Sequence, residues 1–444
     1  VMKQYKHEKH LQQHRRVRSK FSRFVRILGP GVVTGAADDD PSGIATYSQA
    51  GASMGYGLLW MIPVMFPMLL AVQSTCSRVG AVTGRGLAAI LRDHFNRKLL
   101  FVAVGLAVTA NVINIGADLG AMAAALQLLF PKVPFEVAAV GFTVLILLLV
   151  VFVKYKTYAQ ILKWLAVLLF AYPITAFIVG QPWPEVLAHT LVPHLSFSQT
   201  TIYLIVGLLG TTISPYLFFW DTSEIIEDEI ATKRVGILAK KPPKVTRHFL
   251  RSVRIDNFIG MSLASITAWF IMLTCATVLF SNGATDINSA ADAAKAIEPL
   301  VAQFPNAGLI AKVIFSIGII GLGLLAVPVL AGSSSYAITE SLGWREGLYR
   351  KLNKATGFYG VIIAATIIGL IINFLGINPI HALIFSAVFN GIAAVPLLAM
   401  IAIVGRSKKI MGEYRNGPLT TSFVWLAFIS MALAAGLLVW SLVV

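Results

Sequence analysis

Apolar residues run along this chain in blocks of about twenty, each long enough as a helix to cross ~30 Å of hydrocarbon. Eleven such blocks are predicted, at 27–53, 57–77, 99–129, 134–153, 160–180, 200–224, 257–281, 307–337, 357–376, 378–405 and 419–443. The first and sixth are interrupted. The first carries Asp38-Asp39-Asp40-Pro41-Ser42-Gly43, and the sixth reads Gly210-Thr211-Thr212-Ile213-Ser214-Pro215-Tyr216. Proline lacks an amide proton and glycine weakens a helical turn, so Pro41 and Pro215 each predict a helix break.

An aspartate at the bilayer centre costs roughly 2.5–3.5 kcal/mol on insertion scales, so three in succession require a cation, a water-filled cavity or a partner. A single proline kink in a membrane helix is often only structural. Here two breaks lie five spans apart, and five is odd, so the second half of the chain runs opposite to the first. That predicts inverted repeats over about 27–180 and 200–405, the arrangement in which paired broken helices mark a transporter's central site. The first half of span 1 ends near Asp40 and the first half of span 6 near Ser214, both at mid-membrane. Each half-helix C-terminus is worth about −0.5 charge, and two of them beside a carboxylate favour a cation. An anion would prefer N-terminal ends.

Composition agrees: 57% of the 444 residues are apolar and 13% charged, about half the charge of a soluble protein. The chain reads as an all-α membrane protein: a basic segment 1–26, a ten-helix core 27–405, and a loop with the eleventh helix at 406–444. The net charge of +16 suggests nucleic acid until its placement is considered. With the N-terminus cytoplasmic, all but three of the 36 Lys and Arg fall on that side, the exceptions being Lys132, Lys295 and Lys312. This is the positive-inside pattern, and it sets the N-terminus in and the C-terminus out. Nucleic acid drops out, and the bilayer is the expected partner. A bacterial inner (plasma) membrane is the expected host. Cys76 and Cys275 both fall in spans, so neither a disulfide nor a zinc site is expected. No cleavable leader is visible, and no phosphate loop, zinc-protease motif or nucleophile elbow suggests an enzyme.

At these residues the chain resembles the Nramp family (natural resistance-associated macrophage proteins), proton-coupled importers of divalent transition metals with a LeuT-like fold. Gly29-Pro30-Gly31 through Asp40-Pro41-Ser42-Gly43 and on to Gly51-Ala52 resembles the family's helix 1, with its Asp-Pro-Gly-Asn signature. Gly55 to Trp60, Gln73 to Gly84, Asn111 to Leu119 and Leu126 to Phe130 match helices 2 and 3. The resemblance implies a LeuT-like 5+5 inverted repeat with broken helices 1 and 6. It implies a metal held by Asp40, by Ser214 at the family's Met position, and by carbonyls of Ala37, Gly43 and Thr211. The family's Asn falls at Gly43 and its His at Tyr216.

The departures carry chemistry. Soft sulfur helps a site prefer Mn²⁺ or Cd²⁺ over Mg²⁺. An all-oxygen site with room for water suits Mg²⁺, which dehydrates reluctantly and binds through one or two carboxylates. In this the chain is similar to the Nramp-related magnesium transporters, so the expected cargo is Mg²⁺, then Mn²⁺, with no cofactor. The family's helix 3 carboxylates fall at Asn111, Asp118 and Ala121, and a phenol at Tyr216 does not titrate near neutral pH. Proton coupling is therefore expected to be weak or absent. A proton-coupled transition-metal importer, an amino-acid or Na⁺ carrier on the same fold, and a transport-inactive sensor or assembly protein remain alternatives.

Asp38 and Asp39 are read either as charges around the site or as caps of the half-helix end. Asn390 either lines the path or packs between helices. His7, His10 and His14 are read as part of a solvated tail, and Glu224 to Glu229 as a solvated loop beside Lys233 and Arg234. Trp60, Trp183 and Trp440 are read as interfacial anchors.

Overall fold

The computed structural model describes residues 35, 38–153, 165–194, 198–231 and 245–443. Segment 1–26 with its histidines, Ala37, Lys233 and Arg234 lie outside these residues, as do parts of spans 1 and 5. Regular structure among the described residues is helical. The helices that build the core are α1 (Pro41–Met54), α2 (Met61–Thr83), α3 (Leu87–His94), α4 (Arg97–Leu129), α5 (Phe135–Phe152), α6 (Ala171–Val179), α7 (Trp183–Leu191), α8 (Gln199–Thr212), α9 (Pro215–Ala231), α10 (Arg247–Val278), α11 (Ala290–Lys295), α12 (Ala307–Leu342), α13 (Thr356–Ile372), α14 (Pro379–Arg406) and, last, α15 (Pro418–Val443). Among the described residues nine helices are long and apolar enough to cross a membrane, with α8 and α9 counted together as one.

The breaks fall where the sequence places them. Asp40 is the N-cap of α1, with extended φ and ψ of −65° and 168°, and α8 stops at Thr212 before α9 restarts at Pro215. Other limits differ from the hydropathy reading. Span 2 was expected at 57–77, yet α2 covers Met61–Thr83. Span 7 was expected from 257, yet α10 begins at Arg247. Hydropathy marks only the hydrocarbon-facing part of a helix, and backbone bonding continues until a cap stops it. Here the caps are Gly84, left-handed at φ 64°, and Thr246, whose hydroxyl accepts from the Phe249 amide at 3.2 Å.

The acidic run is a second correction. It is not a solvated loop: α9 continues through Ala231. Glu224 is buried and accepts from Trp220 Nε1 at 3.0 Å, while Glu227 accepts from Tyr336 Oη and the Leu348 amide. Donors from α9 itself for Glu224, and from α12 and the segment after it for Glu227, make these carboxylates part of the packed structure.

Loops sort to two ends. At one, Glu340 of α12 accepts from the Ala88 and Ala89 amides at the start of α3 and from Ser223 Oγ of α9, at 2.9, 3.3 and 3.1 Å. A 280 Å³ cavity there is bordered by Arg85, Arg92, Glu340 and Glu346. At the other, Gln49 of α1 grips the segment after α10, donating to the Thr285 carbonyl at 3.0 Å and accepting from the Ile287 amide at 2.9 Å. The first of these, with Arg85 and Arg92, is the basic end. Exposed apolar side chains such as Val137, Leu148, Ile368, Ile371 and Leu433 give the helices a lipid-compatible exterior. Cys76 and Cys275 are free and buried.

Candidate cation site at the paired breaks

Small residues let the broken segments approach. A Cβ on Gly210 would overlap the Ala387 carbonyl of α14, and one on Gly51 would overlap the Met272 carbonyl of α10. Close backbone approach at such positions is how membrane helices pack without a hydrophobic drive between them. It brings the two breaks together. A Cβ on Gly43 would lie 3.2 Å from Thr211 Oγ1 and 3.4 Å from Asp40 Oδ1. Tyr47 Oη and Thr212 Oγ1 share a hydrogen bond of 2.8 Å, joining α1, nearly two turns past its break, to the last residue of α8.

Asp40 is held by three hydrogen bonds. Its Oδ1 accepts from the Gly43 amide at 2.7 Å and from Ser42 Oγ at 2.8 Å, and its Oδ2 accepts from Asn114 Nδ2 at 2.8 Å. Asn114 Oδ1 in turn accepts from Ser386 Oγ of α14 at 2.8 Å. A carboxylate offers about four lone-pair directions, so Oδ2 keeps one for a ligand. Gly43 enters through its amide, and its carbonyl lies inside the first turn of α1. Ser214 Oγ donates to the carbonyls of Gly210 and Thr211 at 2.8 and 2.7 Å. That bond spends the hydroxyl proton and leaves the oxygen's lone pairs free, and the Thr211 carbonyl keeps its second lone pair.

Around this centre, buried polar atoms stand without hydrogen-bond partners. They are both oxygens of Asp118, Asn111 Oδ1, Asp38 Oδ1, Thr211 Oγ1 and both amide atoms of Asn390. Asp118 is fully buried and within electrostatic reach of Asp40 and the Ser42 amide. Tyr216 is within reach of Asp40, Asp38 and Asp118, and its carbonyl is held by Ser333 Oγ at 2.7 Å. Asn111 donates to Ser334 Oγ of α12 at 3.0 Å. Asp39 is buried beside Asp40. Asn390 lies one turn from Ser386 on α14. Burying an unpartnered polar group costs about 1–3 kcal/mol, and more for a charged one. Several at one place, with carboxylates among them, leave hydrogen-bonding and ligating positions that a bound ion or water could fill. Among the described residues no group of three or more His, Cys, Asp or Glu side chains is spaced to hold a metal, so a bound ion would take most of its ligands from amides, hydroxyls, carbonyls and water.

Asn114, Ser386, Tyr47 and Thr212 were not singled out from sequence. Asn114 had a signal: it lies on the stripe of Asn111 and Asp118, at i+3. Ser386 is 272 residues from Asn114, and nothing local marks it.

An all-helical bundle with two opposed broken helices and an acidic, oxygen-lined centre is a membrane transporter of the inverted-repeat class. The chain belongs to the Nramp family, since the pattern of natural resistance-associated macrophage protein-like sequences matches residues 31–441. It is a transporter and not an enzyme. It is 28% identical over 413 residues to the divalent metal cation transporter MntH of Caldanaerobacter subterraneus, covering 90% of this chain and 89% of that one. It is 27% identical over 436 residues to MntH of Ralstonia nicotianae, covering 95% and 92%. Among solved structures, the Eremococcus coleocola manganese transporter superposes with a TM-score of 0.69 at 19% identity, over 92% of this chain and 85% of that chain, a likeness of fold.

Proposed function

We propose that this protein carries a divalent metal cation, Mg²⁺ first and Mn²⁺ second, by alternating access through the paired breaks, with weak or no proton coupling. The observation that carries the reading is Asp40: three hydrogen bonds hold it at the break, and one lone pair of Oδ2 remains. A single monodentate carboxylate contact, with Ser214, the carbonyls of Thr211 and Ala37 and water completing the shell, suits an ion that keeps its waters. The absence of sulfur at Ser214 removes the group that would favour softer ions. Asp38, Asp39 and Asp118 add negative potential around the ion, and Tyr216, Asn111 and Asn390 line its way.

The membrane potential supplies drive. Two charges crossing 100 mV gain about 4.6 kcal/mol, enough for uptake without a proton. The N-terminus is cytoplasmic, the C-terminus outside and the basic end inward, in a bacterial inner membrane. A second reading, proton-coupled manganese import, draws on the relatives' names and on Asp118, a buried carboxylate next to the site.

Calorimetric titration of the purified protein with Mg²⁺, Mn²⁺, Ca²⁺, Na⁺ and amino acids tests the reading. A marked fall in the heat from Mg²⁺ and Mn²⁺ is expected in Asp40→Asn. An amino-acid response without a divalent one would reject it.

A further inference from the structure

A second group of buried oxygen donors lies on the basic-end side of the breaks, and the site above does not use it. Asp221 of α9 stands two turns beyond Ser214, on the same face and about 10 Å further along the axis. It is 1% exposed. Its Oδ2 accepts from Ser77 Oγ of α2, and its Oδ1 has no partner. Ser77 Oγ also accepts from Asn257 Nδ2 of α10. Asp256, buried beside Asn257, is a second carboxylate within electrostatic reach of Asp221. Three helices therefore meet with oxygen-bearing side chains turned to one point.

An independent observation comes from Gln73. It lies one turn before Ser77 on the same face of α2, its own carbonyl accepting from Ser77 Oγ at 2.9 Å. It is fully buried, and both ends of its amide lack a partner. An amide buried with neither end bonded forfeits two hydrogen bonds, which a protein tolerates where a ligand supplies them. The backbones crowd here: Thr222 Oγ1 donates to the Cys76 carbonyl at 3.2 Å, and a Cβ on Gly80 would overlap the Thr222 carbonyl. Gly35, from the first half of span 1, abuts Gly260, one turn along α10 from Asn257. The group thus lies beside the broken segment, between the Asp40 centre and the basic end.

We propose that Asp221, Asp256, Ser77, Asn257 and Gln73 form a second oxygen-lined station for a hard divalent cation, occupied as the ion passes between the Asp40 centre and the basic end. The inference rests on the divalent cargo proposed above. Carboxylate, hydroxyl and amide oxygens are the ligand set that Mg²⁺ and Mn²⁺ accept with water retained. Gln73 lies one turn further from the basic end than Ser77 along α2, so the oxygens are spread along the way and an ion meets successive ligands rather than bare hydrocarbon.

Anomalous diffraction from crystals of the full chain soaked in Mn²⁺ tests it. Two peaks are expected, one at Asp40 Oδ2 and one between Asp221 and Gln73. In Asp221→Asn the second peak disappears and the first stays, Mn²⁺ affinity at the first changes less than twofold, and flux into liposomes falls about tenfold. Asp221→Glu restores flux. A peak at Asp40 with none at Asp221, or full flux in a folded Asp221→Asn, overturns the second station alone. A wild-type map with no peak at Asp40 counts against the divalent reading itself, and one with neither peak removes both.

Discussion

Asp40 has three of its acceptor positions filled by the protein, from the Gly43 amide, Ser42 and Asn114. Those donors fix the direction of the remaining lone pair. Groups that orient a metal ligand typically matter 10- to 100-fold in affinity, so Asn114→Ala is expected to weaken Mn²⁺ binding roughly 10-fold while leaving the fold intact; titration calorimetry reads it. Ser214 tests the hard-ion argument from the other side. Ser214→Met introduces sulfur at the break and is expected to raise Cd²⁺ affinity relative to Mg²⁺; an unchanged ratio in competition binding would place Ser214 away from the ion. Asp40 and the prolines were legible because charge and proline are conspicuous in apolar surroundings, and Ser214 through its place before Pro215 and the family resemblance. Asn114, Tyr47 and Gln73 were not, because an amide or phenol in a membrane helix serves packing as readily as function, and only the fold reveals its partners.

At the scale of helices, the breaks meet because glycine removes side chains where backbones cross. Gly210→Ala sets a methyl against the Ala387 carbonyl and the Gly391 amide, neither of which can yield as a flexible side chain would. Overpacking of this kind costs about 1–3 kcal/mol, so the variant is expected to unfold earlier in detergent, with α8 displaced from α14. Gly141, inside α5 with open space around its Cβ position, is the control, and Gly141→Ala should not lower stability. The nine spans found among the described residues and the two breaks could be read from hydropathy and proline alone. Helix ends could not, because caps such as Gly84 and Thr246 lie beyond the apolar stretch, and the helical Glu224–Glu227 segment depends on Trp220, Tyr336 and Leu348 as donors.

For the whole molecule, the basic end couples three parts of the chain through Glu340 and Glu346. Glu346, in the segment after α12, has its carboxyl pushed up to about 7 by burial, against the opposing pull of Thr339, Arg92, Arg350 and Arg85. An acid raised in the fold is protonated there while its unfolded counterpart, near 4.5, is already ionised. The unfolded state therefore binds fewer protons across that window, and stability falls as pH rises from about 4.5 to about 7. Glu346→Gln is expected to flatten this fall in a thermal-stability series over pH 5–8 and to leave the protein more stable than wild type at pH 8; a steeper profile would contradict the assignment.

The central claim, that the paired breaks pass a divalent ion by way of Asp40, is tested most directly by flux. Wild type and Asp40→Asn are placed in liposomes under an inside-negative potential, with Mg²⁺ and Mn²⁺ reporters and a pH dye in the lumen. The expected result is saturable entry of both ions in wild type, none in Asp40→Asn, and a constant lumen pH. Equal entry in the two proteins would contradict the account at its centre, and lumen acidification matched to metal entry would contradict its uncoupled form.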